Sequence, residues 1–220
     1  MKRPTCPRCL RPQRTCICDW ITATEHAAEV LILQHPLEVD NAKGSARLLH
    51  LSLPRSALEI GEVFAEAALQ ALLHAPLRAR ESGEADVERT IKHTILLYPD
   101  SPQDQALKLS TPPALDEAIL REPAQCRLVV LDGTWRKSRN MLYLNPLLQA
   151  LPRLALRDTP ASHYLIRKAH RPEQLSTLEA TCYALMQLEN NDQKYRPLLD
   201  AFDGFVAQQS GYRLDPREAK

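Results

Sequence analysis

Glycine is scarce, with six in 220 residues, and none is spaced as the G-x-G-x-x-G turn or the G-x-x-x-x-G-K-[ST] loop. A Rossmann dinucleotide fingerprint and a phosphate-binding P-loop are therefore excluded, and any nucleotide-bearing ligand must use another loop geometry. Long apolar runs are also missing. None reaches the roughly 20 residues that a bilayer span needs, and the basic N-terminus lacks the apolar stretch of a secretory signal. A cytoplasmic location is the expectation left by elimination. Net charge is nearly absent, at +1 from 28 Lys+Arg and 27 Asp+Glu, so the total says nothing about nucleic acid. Aromatic residues make up only 5%, and none stands among the first basic residues. That weighs against a non-catalytic zinc-knuckle RNA-binding protein, which needs rings to stack bases. Internal repeats and low-complexity tracts are absent.

Cysteine is what the chain does have. Of its six cysteines, four fall in one short segment, as Cys6-Pro7-Arg8-Cys9 and Cys16-Ile17-Cys18. The first pair has the knuckle spacing that lets two thiolates and nearby backbone N–H groups converge on a tetrahedral ion. Two disulfides would suit a secreted mini-domain but not a cytoplasmic chain. Free structural thiols would need apolar neighbours, which the segment hardly offers. A structural zinc on Cys6, Cys9, Cys16 and Cys18 is the favoured reading, and a closed four-thiolate shell folds a segment rather than catalysing. Cys126 and Cys182 lie in apolar contexts as buried small hydrophobes. The same N-terminus carries Lys2, Arg3, Arg8, Arg11 and Arg14 before its first acid, Asp19. Such an excess attracts phosphates, or serves only as a solubilising tail.

The length suits one full domain, or one domain with a small appendage. Residues 1–24 read as the zinc-binding segment and 25–215 as the main domain. Glu29 to Gln34 predicts a buried strand stopped by His35-Pro36. Helices are predicted over Ser45–Leu53 and Phe64–His74, with a polar surface loop from Arg78 to Thr90. His93–Tyr98 predicts a second strand, followed by a Pro-rich linker and a short helix near Leu115–Arg121. Arg127–Leu131 predicts a third strand, Thr134–Tyr143 a helix, Leu154–Arg157 a short strand and Tyr164–Arg167 an extended loop. Ser176–Glu189 predicts a helix opened by a capping box, Ser176-Thr177-Leu178-Glu179, and a last helix spans roughly Asp192–Gln209. Strands alternating with helices predict an α/β fold with a mostly parallel sheet flanked by helices.

The most informative stretch runs from Leu128 to Lys137. An apolar strand ends in Asp132-Gly133-Thr134, and a helix then opens at Trp135. Open α/β sheets build ligand crevices at such strand ends, where the next helix presents unpaired N–H groups. Asp132 or Thr134 as an ordinary helix N-cap is the alternative.

Asp132-Gly133-Thr134-Trp135 also resembles the D-x-T-W signature of the DTW-domain family, the tRNA-uridine aminocarboxypropyltransferases, in a form closer to the bacterial tRNA branch than to enzymes acting on ribosomal RNA. Further segments agree in order: Leu33-Gln34-His35-Pro36 with Asn41-Ala42-Lys43-Gly44, Leu97-Tyr98-Pro99, Tyr164-Leu165-Ile166-Arg167-Lys168, and Leu175-Ser176-Thr177-Leu178-Glu179-Ala180. The resemblance covers nearly the whole chain, including the N-terminal cysteines. It implies SPOUT-type kinship with a C-terminal trefoil knot, and S-adenosylmethionine as co-substrate. The implied reaction moves its 3-amino-3-carboxypropyl group to N3 of a tRNA uridine, at position 47 of the variable loop, and releases methylthioadenosine.

That chemistry needs in-line positioning of nucleophile, carbon and sulfur, and removal of the N3 proton. Asp132 is the candidate base, or the group that orients the imide proton; helix capping is its other reading. Thr134 would hydrogen-bond the co-substrate or cap the helix. Trp135 would stack on a base, or serve the core. Tyr98, Pro99, Leu131, Gly133, Leu165, Ser176 and Thr177 are the expected co-substrate contacts, with free N–H groups at the Ser176-Thr177 helix start facing a carboxylate. His35 would touch substrate or be structural. For tRNA, the candidates are Arg136, Lys137 and Arg139, then Arg167, Lys168 and Arg171 with His170, and Lys194 with Arg196. The competing enzymatic reading is an S-adenosylmethionine-dependent RNA methyltransferase.

Overall fold

The computed structural model describes residues 4–75, 77, 91–99, 111–162 and 175–211. Its centre is a five-stranded sheet in the order β2-β1-β4-β3-β5, parallel throughout. The strands are β1 Glu29–Gln34, β2 Ser56–Ile60, β3 His93–Leu97, β4 Cys126–Asp132 and β5 Arg153–Leu154. The helices are α1 Ala46–Ser52, α2 Glu66–His74, α3 Trp135–Leu144, α4 Pro146–Gln149, α5 Thr177–Glu189 and α6 Arg196–Gly211.

β1 and β4 are buried along their whole length because both sheet faces are covered, as the βαβ crossovers of a parallel sheet require. Val30, Ile32, Leu128 and Val130 pack toward α1, α5 and α6. Their neighbours Leu31, Leu33, Val129 and Leu131 pack on the opposite side, toward α2, α3 and α4. The two-residue side-chain period thus feeds two cores from one strand. Cys6, Cys9 and Ile17 belong to the first core, so the cysteine segment is built into the sheet's packing.

Strand β2 was not predicted. Among the described residues it pairs only with β1, and it grades from buried Ser56 to exposed Glu59 and Ile60, an edge pattern without the apolar run that betrays a central strand. The short helix near Leu115–Arg121 is a 3-10 turn over Ile119–Arg121. The segments from Arg78 to Thr90 and from Tyr164 to Arg167 lie outside the described residues.

At the amino ends of β1 and β4, Glu29 and Arg127 sit side by side in register. The buried guanidinium donates to Glu29 through Nε at 3.0 Å and also to the carbonyls of Leu72 and Ala75. A charge in a core is tolerated only with partners of this kind, and here they also close the C-terminus of α2.

Nearby, His26 is 4% exposed, and both its ring nitrogens are committed. Nδ1 meets the Ala28 carbonyl at 2.6 Å, and Nε2 accepts from the Arg55 N–H at 3.1 Å. The neutral ring fits; a second ring proton would face an N–H donor. Burial accordingly pushes its pKa from 6.5 down to about 4. The folded state therefore binds fewer protons than the unfolded chain between these values. Its contribution is fully present above 6.5 and declines as pH falls toward 4, by up to about 3 kcal/mol. Denaturant titrations at pH 7.5 and pH 5 should show the loss, and His26→Gln should flatten it.

Candidate active site and cysteine cluster

The chain leaves β1 toward β2 on one side of the sheet and leaves β4 past β3 toward β5 on the other. Connections that diverge from neighbouring parallel strands open a crevice at their carboxyl ends. The signature residues lie there. The His35 N–H donates to the Asp132 carbonyl at 2.9 Å, which locks the two strand ends together.

Asp132 is 5% exposed. One carboxylate oxygen accepts from Gln34 Nε2 at 2.8 Å and the other from Thr177 Oγ1 at 2.6 Å. It therefore ties β1, β4 and the start of α5 into one corner. It does not cap α3. That place belongs to Thr134, whose hydroxyl accepts from the Lys137 N–H at 3.4 Å. Gly133 is needed where α3 crowds the strand end: a Cβ there would stand 3.1 Å from Lys137 Cβ and 3.3 Å from Ser138 Oγ.

Beside this corner lies a cleft of about 630 Å³ at the ends of β3, β4 and β5. Leu97, Val130, Leu131, Leu154 and Leu156 give it an apolar wall; Tyr98, Pro99, Gly133, Thr134, Trp135, Arg136, Ser176 and Thr177 are also in the lining. Segments far apart in the chain thus converge, and all but the β5 segment carry residues singled out from the sequence. Trp135 is 49% exposed and meets Tyr98 edge-on, with ring centroids 6.0 Å apart. An indole in that position is a cleft wall rather than a core residue. Tyr98 is itself buried, with the Arg153 guanidinium over its ring at 5.2 Å.

The start of α5 differs from expectation in one respect. The capping box forms, with Ser176 Oγ accepting from the Glu179 N–H and the Glu179 carboxylate accepting from the Ser176 N–H. Ser45 Oγ takes the Leu178 N–H at 3.2 Å. Two first-turn donors expected to face a ligand are thus already satisfied, which leaves that helix end a weaker anion site. At the start of α3, the N–H groups of Trp135 and Arg136 have no partner among the described residues.

The basic residues separate. The Lys137 ammonium is paired with buried Glu38 at 2.8 Å. Arg136 and Arg139 line a second groove on the far side of α3. Leu165, Arg167, Lys168, His170 and Arg171 lie outside the described residues.

Away from the cleft, the sulfurs of Cys6, Cys9, Cys16 and Cys18 all lie within 4.8 Å of one another. The Cys6–Cys18 and Cys9–Cys16 pairs are 3.6 and 3.7 Å apart, far beyond a disulfide. A zinc ion about 2.3 Å from four thiolates sets S···S edges of about 3.8 Å, so the donor set fits the metal. The N–H groups of Cys9 and Arg8 draw the Cys6 thiol down to about 6, while burial and the neighbouring sulfurs push Cys18 upward. Four thiolates this close need a cation to coexist. Cys126 and Cys182 are buried as expected; burial raises both thiols.

The cluster is wired to the rest of the chain. Arg11 donates to the carbonyls of Ala42 and Gly44 at 2.6 and 2.8 Å, and Gly44 precedes the Ser45 that caps Leu178. Trp20 lies so close to Gly204 of α6 that a Cβ there would sit 2.1 Å from the indole, and its N–H donates to Gln208 at 3.0 Å. Sequence reasoning missed Gln34, Ser45 and Arg11 as parts of this framework. A polar residue closing an otherwise apolar strand, Gln34, was the one available signal. No helix of the described residues is long and apolar enough to cross a membrane.

The DTW domain model matches residues 3–210. The chain is 30% identical over 196 residues to mouse (Mus musculus) tRNA-uridine aminocarboxypropyltransferase 2, covering 87% of this chain and 58% of that protein. The macaque (Macaca fascicularis) protein of the same name is 30% identical over 203 residues, covering 90% and 61%. The Drosophila melanogaster one is 27% identical over 202 residues, covering 90% and 72%. The chain thus spans about three fifths of the length of the two mammalian relatives. No solved structure matches it. With its signature at the β4 corner and its match running almost from end to end, the chain belongs to the DTW-domain family.

Proposed function

We propose that this protein transfers the 3-amino-3-carboxypropyl group of S-adenosylmethionine to N3 of a uridine in tRNA, releasing methylthioadenosine. The observation that carries this reading is the cleft beside the Asp132 corner. It is built from segments that resemble the family's motifs, and two relatives 30% identical to this chain are named tRNA-uridine aminocarboxypropyltransferase 2.

The residues present fit the co-substrate. A sulfonium offers three carbons to a nucleophile, and the protein must present one of them. The apolar wall of Leu131, Leu154 and Leu156 suits the methyl, which would turn it away from the acceptor. Trp135 offers ring surface to the adenine, and Tyr98, Pro99 and Gly133 line the cleft beside it. The unpartnered N–H groups at the start of α3 suit the carboxylate. Thr177 donates its hydroxyl proton to Asp132, so toward a ligand that oxygen can only accept. An imide proton leaving N3 passes to Thr177 as the Thr177 proton passes to Asp132. This makes Asp132 the base at one remove. Ser176 fixes Thr177 by capping α5, and Thr134 does the same for Trp135.

Cys6, Cys9, Cys16 and Cys18 hold a structural zinc that orders residues 1–24 against the transferase unit of 25–215. Arg136 and Arg139 face the tRNA, joined by Arg167, Lys168 and Arg171. The SPOUT-type kinship and C-terminal knot belong to this proposal as what the family resemblance implies; the parallel sheet flanked by helices agrees with the kinship. The reading places the protein in the cytoplasm and the target at position 47 of the variable loop. Incubation with S-adenosylmethionine and unmodified tRNA tests it: methylthioadenosine and a heavier uridine are expected. S-adenosylhomocysteine with a methylated nucleoside would replace this reading by a methyltransferase.

A further inference from the structure

A second groove, of about 610 Å³, runs along the opposite flank of α3. Its lining includes Leu37, Glu62, Arg136, Arg139, Asn140 and Tyr143. Positions 136, 139, 140 and 143 recur at the helical spacing that puts them on one face of α3, over about 10 Å of helix axis. In a chain with few rings, Tyr143 is 53% exposed, and Leu37 across the groove is 74% exposed. Two arginines beside them have no ion-pair partner among the described residues. The one acid in the lining is otherwise engaged: Glu62 Oε1 accepts from Asn140 at 2.6 Å and lies 3.3 Å from His35 Nε2. Because His35 Nδ1 accepts from the Leu37 N–H, the neutral ring carries its proton on Nε2, toward Glu62. These contacts hold Glu62 in its ionised form.

The groove wall is also fixed. Asn145, at the end of α3, donates to the carbonyls of Glu62 and Met141 and accepts from the Phe64 N–H. The loop bearing Glu62 is thereby pinned to the helix bearing Tyr143. A ring, an apolar face and two guanidinium groups in a preformed groove match the parts of one nucleotide, base and phosphate. Arg136 lines this groove and the co-substrate cleft alike, so a strand held in one lies next to the other.

We infer that this groove binds one unpaired nucleotide of the RNA substrate, its base stacked on Tyr143 and its phosphate on Arg139 and Arg136. The inference rests on the function proposed above and specifies how the RNA strand is held beside the reacting base. An acidic peptide would use the arginines but has no need of the ring.

Fluorescence anisotropy of labelled tRNA with Tyr143→Ala, Tyr143→Phe and Arg139→Ala separates these cases, and calorimetric titration of S-adenosylmethionine serves as control. Tyr143→Ala is expected to weaken tRNA binding roughly tenfold, and Tyr143→Phe to retain it. Arg139→Ala should weaken it and reduce the slope of log affinity against log salt by about one. Co-substrate affinity should not change. Wild-type binding of tRNA by Tyr143→Ala overturns the inference, even if Arg139→Ala binds weakly, because the groove is then an electrostatic surface only. A wild-type protein that binds tRNA through Tyr143 but transfers nothing overturns the proposed function and leaves the groove standing. Normal transfer by the wild type together with undiminished tRNA binding by Tyr143→Ala overturns the groove alone. A wild-type protein that binds no tRNA overturns both.

Discussion

Asp132→Asn is expected to lower product formation on the order of a thousandfold while leaving the fold intact. The asymmetry follows from the hydrogen bonds around the carboxylate. An asparagine is isosteric: its carbonyl can still accept from Gln34, and its amide can donate to Thr177 if that hydroxyl turns from donor to acceptor. Both of these bonds can be kept, so most of the penalty for an unmade hydrogen bond is avoided. Thr177, however, loses the acceptor that made its oxygen a receiver of protons. Transfer should fail at near-unchanged S-adenosylmethionine affinity and thermal midpoint. Thr177→Val should reproduce much of the defect, and Thr177→Ser little of it. Steady-state kinetics alongside ligand titration read both. Full turnover by Asp132→Asn would remove the carboxylate from the chemistry.

Removal of metal is expected to have the largest effect on stability. Protein as purified should hold one zinc per chain, and Cys16→Ser or a strong chelator should release it. Structural zinc in small knuckles supplies roughly 10 kcal/mol or more of folding free energy, against a total of about 5–15 kcal/mol for a domain. Here the cluster is not a detachable bead. Cys6, Cys9 and Ile17 are part of the sheet's core, and Trp20 fills the space above Gly204. Losing the ion therefore frees α6 from its partner and loosens Arg11 from the Ala42–Gly44 turn. The next residue, Ser45, caps the helix that carries Thr177. Metal-free protein should melt roughly 20 °C lower or more and bind S-adenosylmethionine more weakly. Metal analysis with thermal denaturation checks this. A metal-free wild type with full stability and activity would end the zinc assignment.

The central strands β1 and β4 and helix α5 were legible in the sequence because each is nearly self-declaring. Two are unbroken apolar runs between polar stops, and the third opens with a capping box. Edge strands are not, since β2 draws its pairing from β1 and needs little burial of its own. The two-residue β5 carries too little pattern to bound. The same division holds in the site. The Asp-Gly-Thr-Trp turn was visible as a strand end meeting a helix start. Its partners were not: Gln34 and Thr177 reach Asp132 across 98 and 45 residues of chain, and no local pattern encodes such contacts. Lys137 has a partner that a run of charge does not reveal. It belongs to a basic cluster in sequence, yet the fold gives it to Glu38.

The most direct measurement is a crystal structure of the protein with S-adenosylmethionine. The account predicts the co-substrate in the cleft between Tyr98, Trp135 and the start of α5. Its methyl should lie against Leu131 and Leu154, and the carbon leading to the amino acid should be open toward Thr177. A co-substrate bound elsewhere, or one whose methyl faces Thr177, would contradict it.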